Sequence, residues 1–298
     1  MVAPVDQLLE SVERSLTTAI DRIAKPPCPP ILAEAVRYAV FPPGNRARPT
    51  LSVLVASACG ESSLALASDF GAALEIMHCA SLVHDDLPCF DDAAARRGKA
   101  SVHRAFDERT AVLAGDALVV VAFDVLSHSQ AATTHPQLLG SLIRELSECA
   151  GLPRGVAAGQ GWEHEPKVEV ELYHELKTAR LFQAATVGGA MSAGREGPPW
   201  ASVGRLFGLA YQVADDLIDV SVAPAAVGKP TGKDRDLGRP NIVSELGFAA
   251  ALARFRWLVS EAGRAVPPGY DGVTLREWIA STMQRVERII LRASQGAA

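Results

Sequence analysis

An all-α fold is predicted for this chain on three observations. Its 298 residues are 48% hydrophobic but only 6% aromatic, so the core is built mostly from Ala, Leu and Val, a composition that favours packed helices. Long stretches repeat apolar residues every three or four positions, and few alternate as strands do. Proline clusters, KPPCPP at 25–30, FPP at 41–43, GPPW at 197–200 and VPPG at 266–269, punctuate these stretches without dividing the chain.

Taken in order, the first helix is read from Val5, Leu8, Leu9, Val12, Leu16, Ile20 and Ile23, which share one face of an amphipathic helix. Further helices are predicted over roughly 49–60, 64–90, 109–128, 136–150, 169–193, 199–222, 241–262 and 273–293. The segments 68–90 and 199–220 are apolar nearly all round, the mark of central helices enclosed by others. The length is compatible with one domain or two. With no flexible linker and no long internal repeat, a single helical domain over residues 1–298 is expected.

The balance of 34 acidic and 29 basic side chains, net −5, contains no Lys/Arg block and excludes a general nucleic-acid binder. A small anionic ligand needs only a few placed cations and stays open. The longest apolar run, AVLAGDALVVVAF, is broken by Asp116 and falls short of the ~20 residues of a bilayer span. The opening MVAPVDQLLESVERS has neither the basic region nor the apolar core of a signal peptide, so a soluble cytoplasmic protein is expected. Cys28, Cys59, Cys79, Cys89 and Cys149 are odd in number, scattered and without a CxxC pair, which reads as reduced thiols.

Both central helices end in aspartates. The first cluster is His84-Asp85-Asp86-Leu87-Pro88-Cys89-Phe90-Asp91-Asp92, whose carboxylates repel one another unless cations neutralise them. The second, Asp215-Asp216-Leu217-Ile218-Asp219, sets Asp215 and Asp219 one turn apart, a span suited to sharing a hard cation. Either cluster alone reads as a solvated helix end; two, each closing an apolar helix, point to metal. Oxygen-only ligands without a Cys/His cage select magnesium, which binds through a few carboxylates together with substrate phosphates.

The chain resembles the trans-isoprenyl diphosphate synthases (polyprenyl synthetases), and within them the geranylgeranyl diphosphate synthases of carotenoid-making bacteria. The resemblance rests on PGNRARP (43–49), HCASLVHDDLPCFDD (78–92), RRGKASVH (96–103), LAGDAL (113–118), GQ (159–160), KTARLF (177–182), YQVADDLID (211–219) and GKPTGKD (228–234). It implies an isoprenoid synthase fold, a single helical bundle around a deep central cavity. It also implies a homodimer and about three magnesium ions bridging the two aspartate motifs to an allylic diphosphate.

Residue by residue, Asp85, Asp86 and Asp91 match the first metal motif, and Asp215, Asp216 and Asp219 the second. In a straight helix Asp92 would lie closer to the Asp85 face than Asp91 does, so using Asp91 requires a distortion near Pro88. Arg96, Lys177 and Lys229 match positions holding the allylic diphosphate, with Lys233 nearby in sequence. Arg46, Arg48, His78 and Arg97 match the isopentenyl diphosphate site, and His78 shares the Asp85 face from two turns earlier. His84 reads as structural. Thr178, Gln212 and Tyr211 match positions lining the reaction zone.

The implied reaction is head-to-tail prenyl transfer. The allylic C–O bond ionises, the isopentenyl double bond attacks the cation, and a proton is lost to the departing diphosphate. Product length follows from the side chains below the first motif: Ala80 and Ser81 are small, and Met77 and Ile76, one turn deeper, are bulky, which implies a geranylgeranyl product. Departures from the family pattern are Asn45 for Lys, Ala93 and Ala94 for acidic residues, and Ala179 for Gly. The alternatives are a synthase of another product length, a non-catalytic or regulatory synthase subunit, a terpene cyclase, for which Arg46, Arg48 and Arg97 have no use, and an HD-type phosphohydrolase, which leaves the second cluster unexplained.

Overall fold

The computed structural model describes residues 5–41, 44–60, 64–167, 169–221 and 241–296. Among them the only strands are β1 (Ala95–Arg96) and β2 (Lys99–Ala100), a two-stranded hairpin; the rest is helix and connections. The chain forms two compact units, one of Met1–Leu146 with Gly188–Arg195, the other of Ser147–Val187 with Glu196–Ala298.

The first unit is organised around α4 (Ala65–Asp85), which packs against α1 (Val5–Ile23), α3 (Ala47–Ala58) and α6 (Glu108–Ser127). Phe70, Leu74 and Ile76 of α4 are fully buried, together with Leu16 and Ile20 of α1, Leu51 and Leu54 of α3, and Leu118 of α6. Gly115 of α6 makes room for the His84 ring of α4, which would lie 2.1 Å from an added Cβ. That contact is what the LAGDAL stretch supplies, and it supports the structural reading of His84. Asp107 caps α6 by accepting from the Thr110 N–H at 2.7 Å.

By length and composition alone, α4 and α6 are apolar enough to cross a membrane. The apolar stretch of α4 is 78% buried inside the protein, as befits a core helix, while that of α6 is 44% buried. An aliphatic face of α6, with Val112, Leu113 and Val120, is exposed.

In the second unit α12 (Ala201–Ser221) packs against α14 (Phe248–Arg264) and α15 (Val273–Gly296). Phe207 of α12 stacks on Trp278 at 5.4 Å between centroids and meets Phe182 edge-on at 5.3 Å.

Several expected helices are shorter or broken. The 64–90 helix stops at Asp85. The 169–193 helix is α10 (Val170–His174), a π-helical turn at Glu175–Ala179, and α11 (Arg180–Ser192). The 241–262 helix is α13 (Ile242–Leu246) and α14, parted at Gly247, whose φ of 79° only glycine adopts without strain. Periodicity missed α2 (Pro30–Val40), α5 (Val102–Ala105), α7 (Gln130–Thr134) and α9 (Val156–Trp162), three of them too short to show a period. The eighth helix, α8, occupies Pro136–Ala150 as expected.

Candidate active site

The first aspartate cluster sits where α4 ends. Asp86 is the C-cap, and beyond it the chain folds back so that the Asp91 N–H donates to the Asp85 carbonyl at 3.0 Å and the Ala93 N–H to the Asp86 carbonyl at 3.1 Å. This is the distortion that the use of Asp91 requires, and it returns Asp91 to the helix end. Asp92 takes a left-handed backbone, φ 43°, and its carboxylate accepts from Arg104 at 2.7 Å.

Arg96 serves this cluster. Its Nε donates to Asp86 Oδ1 at 2.9 Å, and its Nη2 lies 4.0 Å from Asp85 Oδ2. Burial raises the Asp86 carboxyl above its ordinary value, Arg96 opposes this, and repulsion from Asp85 and Asp91 adds to it. The three carboxylates thus sit close enough to repel one another even beside the Arg96 guanidinium. Among the described residues no three His, Cys, Asp or Glu side chains converge into a preformed metal cage. Magnesium does not need one, since it keeps waters and takes few protein ligands, so this oxygen-only set of mutually repelling carboxylates suits it.

Deeper in the same unit the expected isopentenyl-site cations divide. Arg46, 4% exposed, donates to Glu75 Oε1 at 2.8 Å, Glu13 Oε1 at 2.7 Å and the Val40 carbonyl at 3.2 Å. Its guanidinium is thus held by two carboxylates and a backbone carbonyl. Arg46 is a buried corner at φ 47° that Glu13 and Glu75 anchor. Arg48 is also buried. Arg97, at φ 54°, shares Glu75 at 3.3 Å and lines a small, solvent-open cleft with Asp86, Arg96, Cys79, Tyr38 and Lys99. His78 is held well below its ordinary value by burial and by Arg48, Arg97, Arg96 and Arg46, so its imidazole is neutral at pH 7. Arg46, Asp92 and Arg97 are the only non-glycine residues with positive φ among those described, strain of order 1 kcal/mol each, and all three stand in the motifs.

Below the cluster Ala80, Met77 and Ile76 are buried, and the Ser81 hydroxyl turns back to the His78 carbonyl at 2.8 Å. Ser81 and Met77 precede Asp85 by one and two turns on nearly the same face. Ile76, nine residues before it, lies on the opposite face.

In the second unit a partly buried polar chain runs from one expected site residue to the next. The Thr178 hydroxyl donates to Gln212 Oε1 at 2.5 Å, and Gln212 Nε2 donates to Asp216 Oδ1 at 2.9 Å. Asp216 Oδ2 accepts the Ile242 N–H at 2.8 Å, with His174 Nε2 3.3 Å away. Asp216 is 1% exposed, and both its oxygens take protein donors. At 100° per residue it is turned inward from Asp215, while Asp215 and Asp219 lie one turn apart at the partly exposed end of α12. Tyr211 packs on Phe182 at 5.2 Å.

Lys177 is the middle residue of the π-helical turn, a geometry common at functional sites. Its Nζ donates to Glu163 Oε1 at 2.6 Å. Ala179, in place of the usual Gly, is accommodated because it meets Gly208, where a Cβ would stand 2.5 Å from the Ala179 Cα. Lys229 and Lys233 lie outside the described residues.

Sequence reasoning did not single out Glu13, Glu75, Glu163 or His174. The signal available for Glu163 was its place three residues after Gln160, on the same helical face.

The polyprenyl synthetase family model matches residues 29–253. The geranylgeranyl diphosphate synthase of Cereibacter sphaeroides is 44% identical over 277 residues, 93% of this chain and 96% of that protein. The enzyme of the same name from Rhodobacter capsulatus is 41% identical, covering 96% of this chain and 98% of its own. Among solved structures, a geranyltransferase from Helicobacter pylori, complexed with magnesium and isoprenyl diphosphate, superposes with a TM-score of 0.79 at 27% identity, over 98% of this chain and 99% of that one. On these matches and on the motifs they share, this chain belongs to the polyprenyl synthetase family.

Proposed function

We propose that this chain is a magnesium-dependent geranylgeranyl diphosphate synthase, which condenses isopentenyl diphosphate with farnesyl diphosphate or a shorter allylic diphosphate. The observation that carries the reading is the oxygen-only cluster of Asp85, Asp86 and Asp91 around Arg96, at the end of a buried apolar helix. Its similarity to two geranylgeranyl diphosphate synthases above 40% identity supports the product class. Residues 1–298 act as one catalytic domain in this reading.

Asp85, Asp86, Asp91, Asp215, Asp216 and Asp219 are the carboxylates toward magnesium, about three ions by family analogy, with Asp86 shared with Arg96 and Asp216 with Gln212. When bound, magnesium draws electron density onto the leaving diphosphate. Arg96, Lys177, Lys229 and Lys233 add positive charge at the allylic diphosphate. Arg48, Arg97 and His78 receive isopentenyl diphosphate, and Asn45 lowers the cationic charge there by one. Because Thr178 gives its proton to Gln212, its oxygen turns lone pairs rather than a proton to the developing carbocation. The proton released after condensation leaves with the diphosphate.

Ser81 and Met77, on the face of α4 that carries Asp85, set the chain length; Ala80 leaves room beside them, and Ile76 belongs to the core. The exposed aliphatic face of α6 is the surface through which a homodimer forms. The enzyme works in the cytoplasm, where all five cysteines stay without disulfides as they are here, and it serves carotenoid formation.

Incubation with farnesyl diphosphate, isopentenyl diphosphate and magnesium, followed by chromatography of the prenols, is expected to give geranylgeraniol; farnesol alone or longer prenols would overturn the product. Met77→Ala is expected to lengthen it, and an unchanged product removes Met77 from the gate.

A further inference from the structure

Helix α9 ends on Glu163, its C-cap, and lies unusually close to the π-helical turn. A Cβ added at Gly159 would stand 2.3 Å from the Lys177 nitrogen and 2.6 Å from its Cα, so only glycine permits the approach. Gln160 and Glu163, three residues apart on that helix, are thereby brought over Lys177. The Glu163 side chain is 1% exposed. Its Oε1 accepts from Lys177 Nζ at 2.6 Å and from the Tyr173 hydroxyl, and its Oε2 accepts from Gln160 Nε2 at 2.6 Å. The Lys177 ammonium also lies 5.6 Å from the centre of the Tyr173 ring.

A buried carboxylate is tolerable only when paired and hydrogen-bonded, and here three side chains from two segments satisfy it. A lysine is a flexible stem that loses rotamer freedom when its ammonium is held.

We propose that Glu163 is the positioning residue of Lys177. It holds the ammonium in place before an anionic ligand arrives, so the stem is ordered during folding rather than during binding. Gln160 and Tyr173 orient the carboxylate in turn. The inference rests on the reading of Lys177 as a contact of the allylic diphosphate.

The test compares Glu163→Gln, Glu163→Asp and Lys177→Ala by steady-state kinetics and by competitive amine labelling with peptide mass spectrometry on the metal-free protein. Glu163→Gln keeps the shape and removes the charge. It is expected to raise the KM for the allylic diphosphate about tenfold, leave that for isopentenyl diphosphate within about twofold, and speed labelling of Lys177. Glu163→Asp, with its carboxylate retained, is expected to recover part of both effects. In the wild type, Lys177 is expected to label more slowly than exposed Lys167.

Equal changes in the two KM values, or labelling of Lys177 as fast as Lys167 in the wild type, would overturn the proposal; the second readout holds even if Glu163→Gln fails to fold. An unchanged allylic KM in Lys177→Ala would remove the substrate reading beneath it. A raised KM in Lys177→Ala with a normal Glu163→Gln removes the positioning role alone.

Discussion

Replacing Gly159 by alanine should damage both stability and turnover, and the structure sets the scale. The new methyl would stand 2.3 and 2.6 Å from the nitrogen and Cα of Lys177 and 2.7 Å from the Leu176 carbonyl carbon, where ordinary contact begins near 3.4 Å. All three atoms are backbone, so no rotamer change relieves the clash, and α9 must draw back from the π-helical turn by about an ångström. Overpacking of this kind costs about 1–3 kcal/mol, against about 1 kcal/mol regained by removing a glycine from a helix. The net loss, up to about 2 kcal/mol, lowers Tm by up to roughly 8 °C in a unit of this size. The displacement also moves Lys177 relative to its ligand, and a shift of about 1 Å costs catalysis up to about a hundredfold.

Thermal scans and kcat/KM measured side by side check this, with Gly161→Ala as the control. Gly161 lies in the same helix with nothing within 4 Å of an added Cβ, so its alanine variant should gain about 0.5–1 kcal/mol. If the two variants behave alike in both measurements, the close seating of α9 on Lys177 has no energetic weight.

Two further outcomes follow from the buried polar groups. Asp216→Ala strands the Ile242 N–H and the Gln212 amide and should cost about 2–4 kcal/mol in chemical denaturation, with Asp216→Asn in between; a loss under about 1 kcal/mol would show the chain to be inconsequential. His78 has a folded pKa below its reference value of 6.5, so between the two values the unfolded chain binds more protons. The stability this gives is complete above about pH 6.5 and is lost as pH falls toward the folded value. His78→Gln should flatten that part of the pH–stability curve, and an unchanged curve would assign the acid sensitivity elsewhere.

The helical class, both aspartate clusters and the cations between them were legible because each leaves a local mark: a 3.6-residue period, a run of carboxylates, ordered basic motifs. The residue sets of α1 and α12 were readable for the same reason. The π-helical turn under Lys177 was not, since α and π turns share one apolar pattern over five residues, and α9 is too short to show a period. Nor did adjacency distinguish the aspartates. Asp215 and Asp216 read alike in sequence, but one side chain stays partly exposed while the other is buried against Gln212 and Ile242.

By itself, then, the sequence determined which residue types were available for diphosphate and metal chemistry, and in what order. Only the tertiary structure decided which partner each of them meets. Arg46 is neutralised by Glu13 and Glu75, residues 33 and 29 positions away. Asp216 is capped by a backbone N–H 26 residues on, and Lys177 is held by a glutamate 14 residues before it. The reason is physical: a charge's role depends on the partners that share its burial, and burial brings together residues that no local window contains.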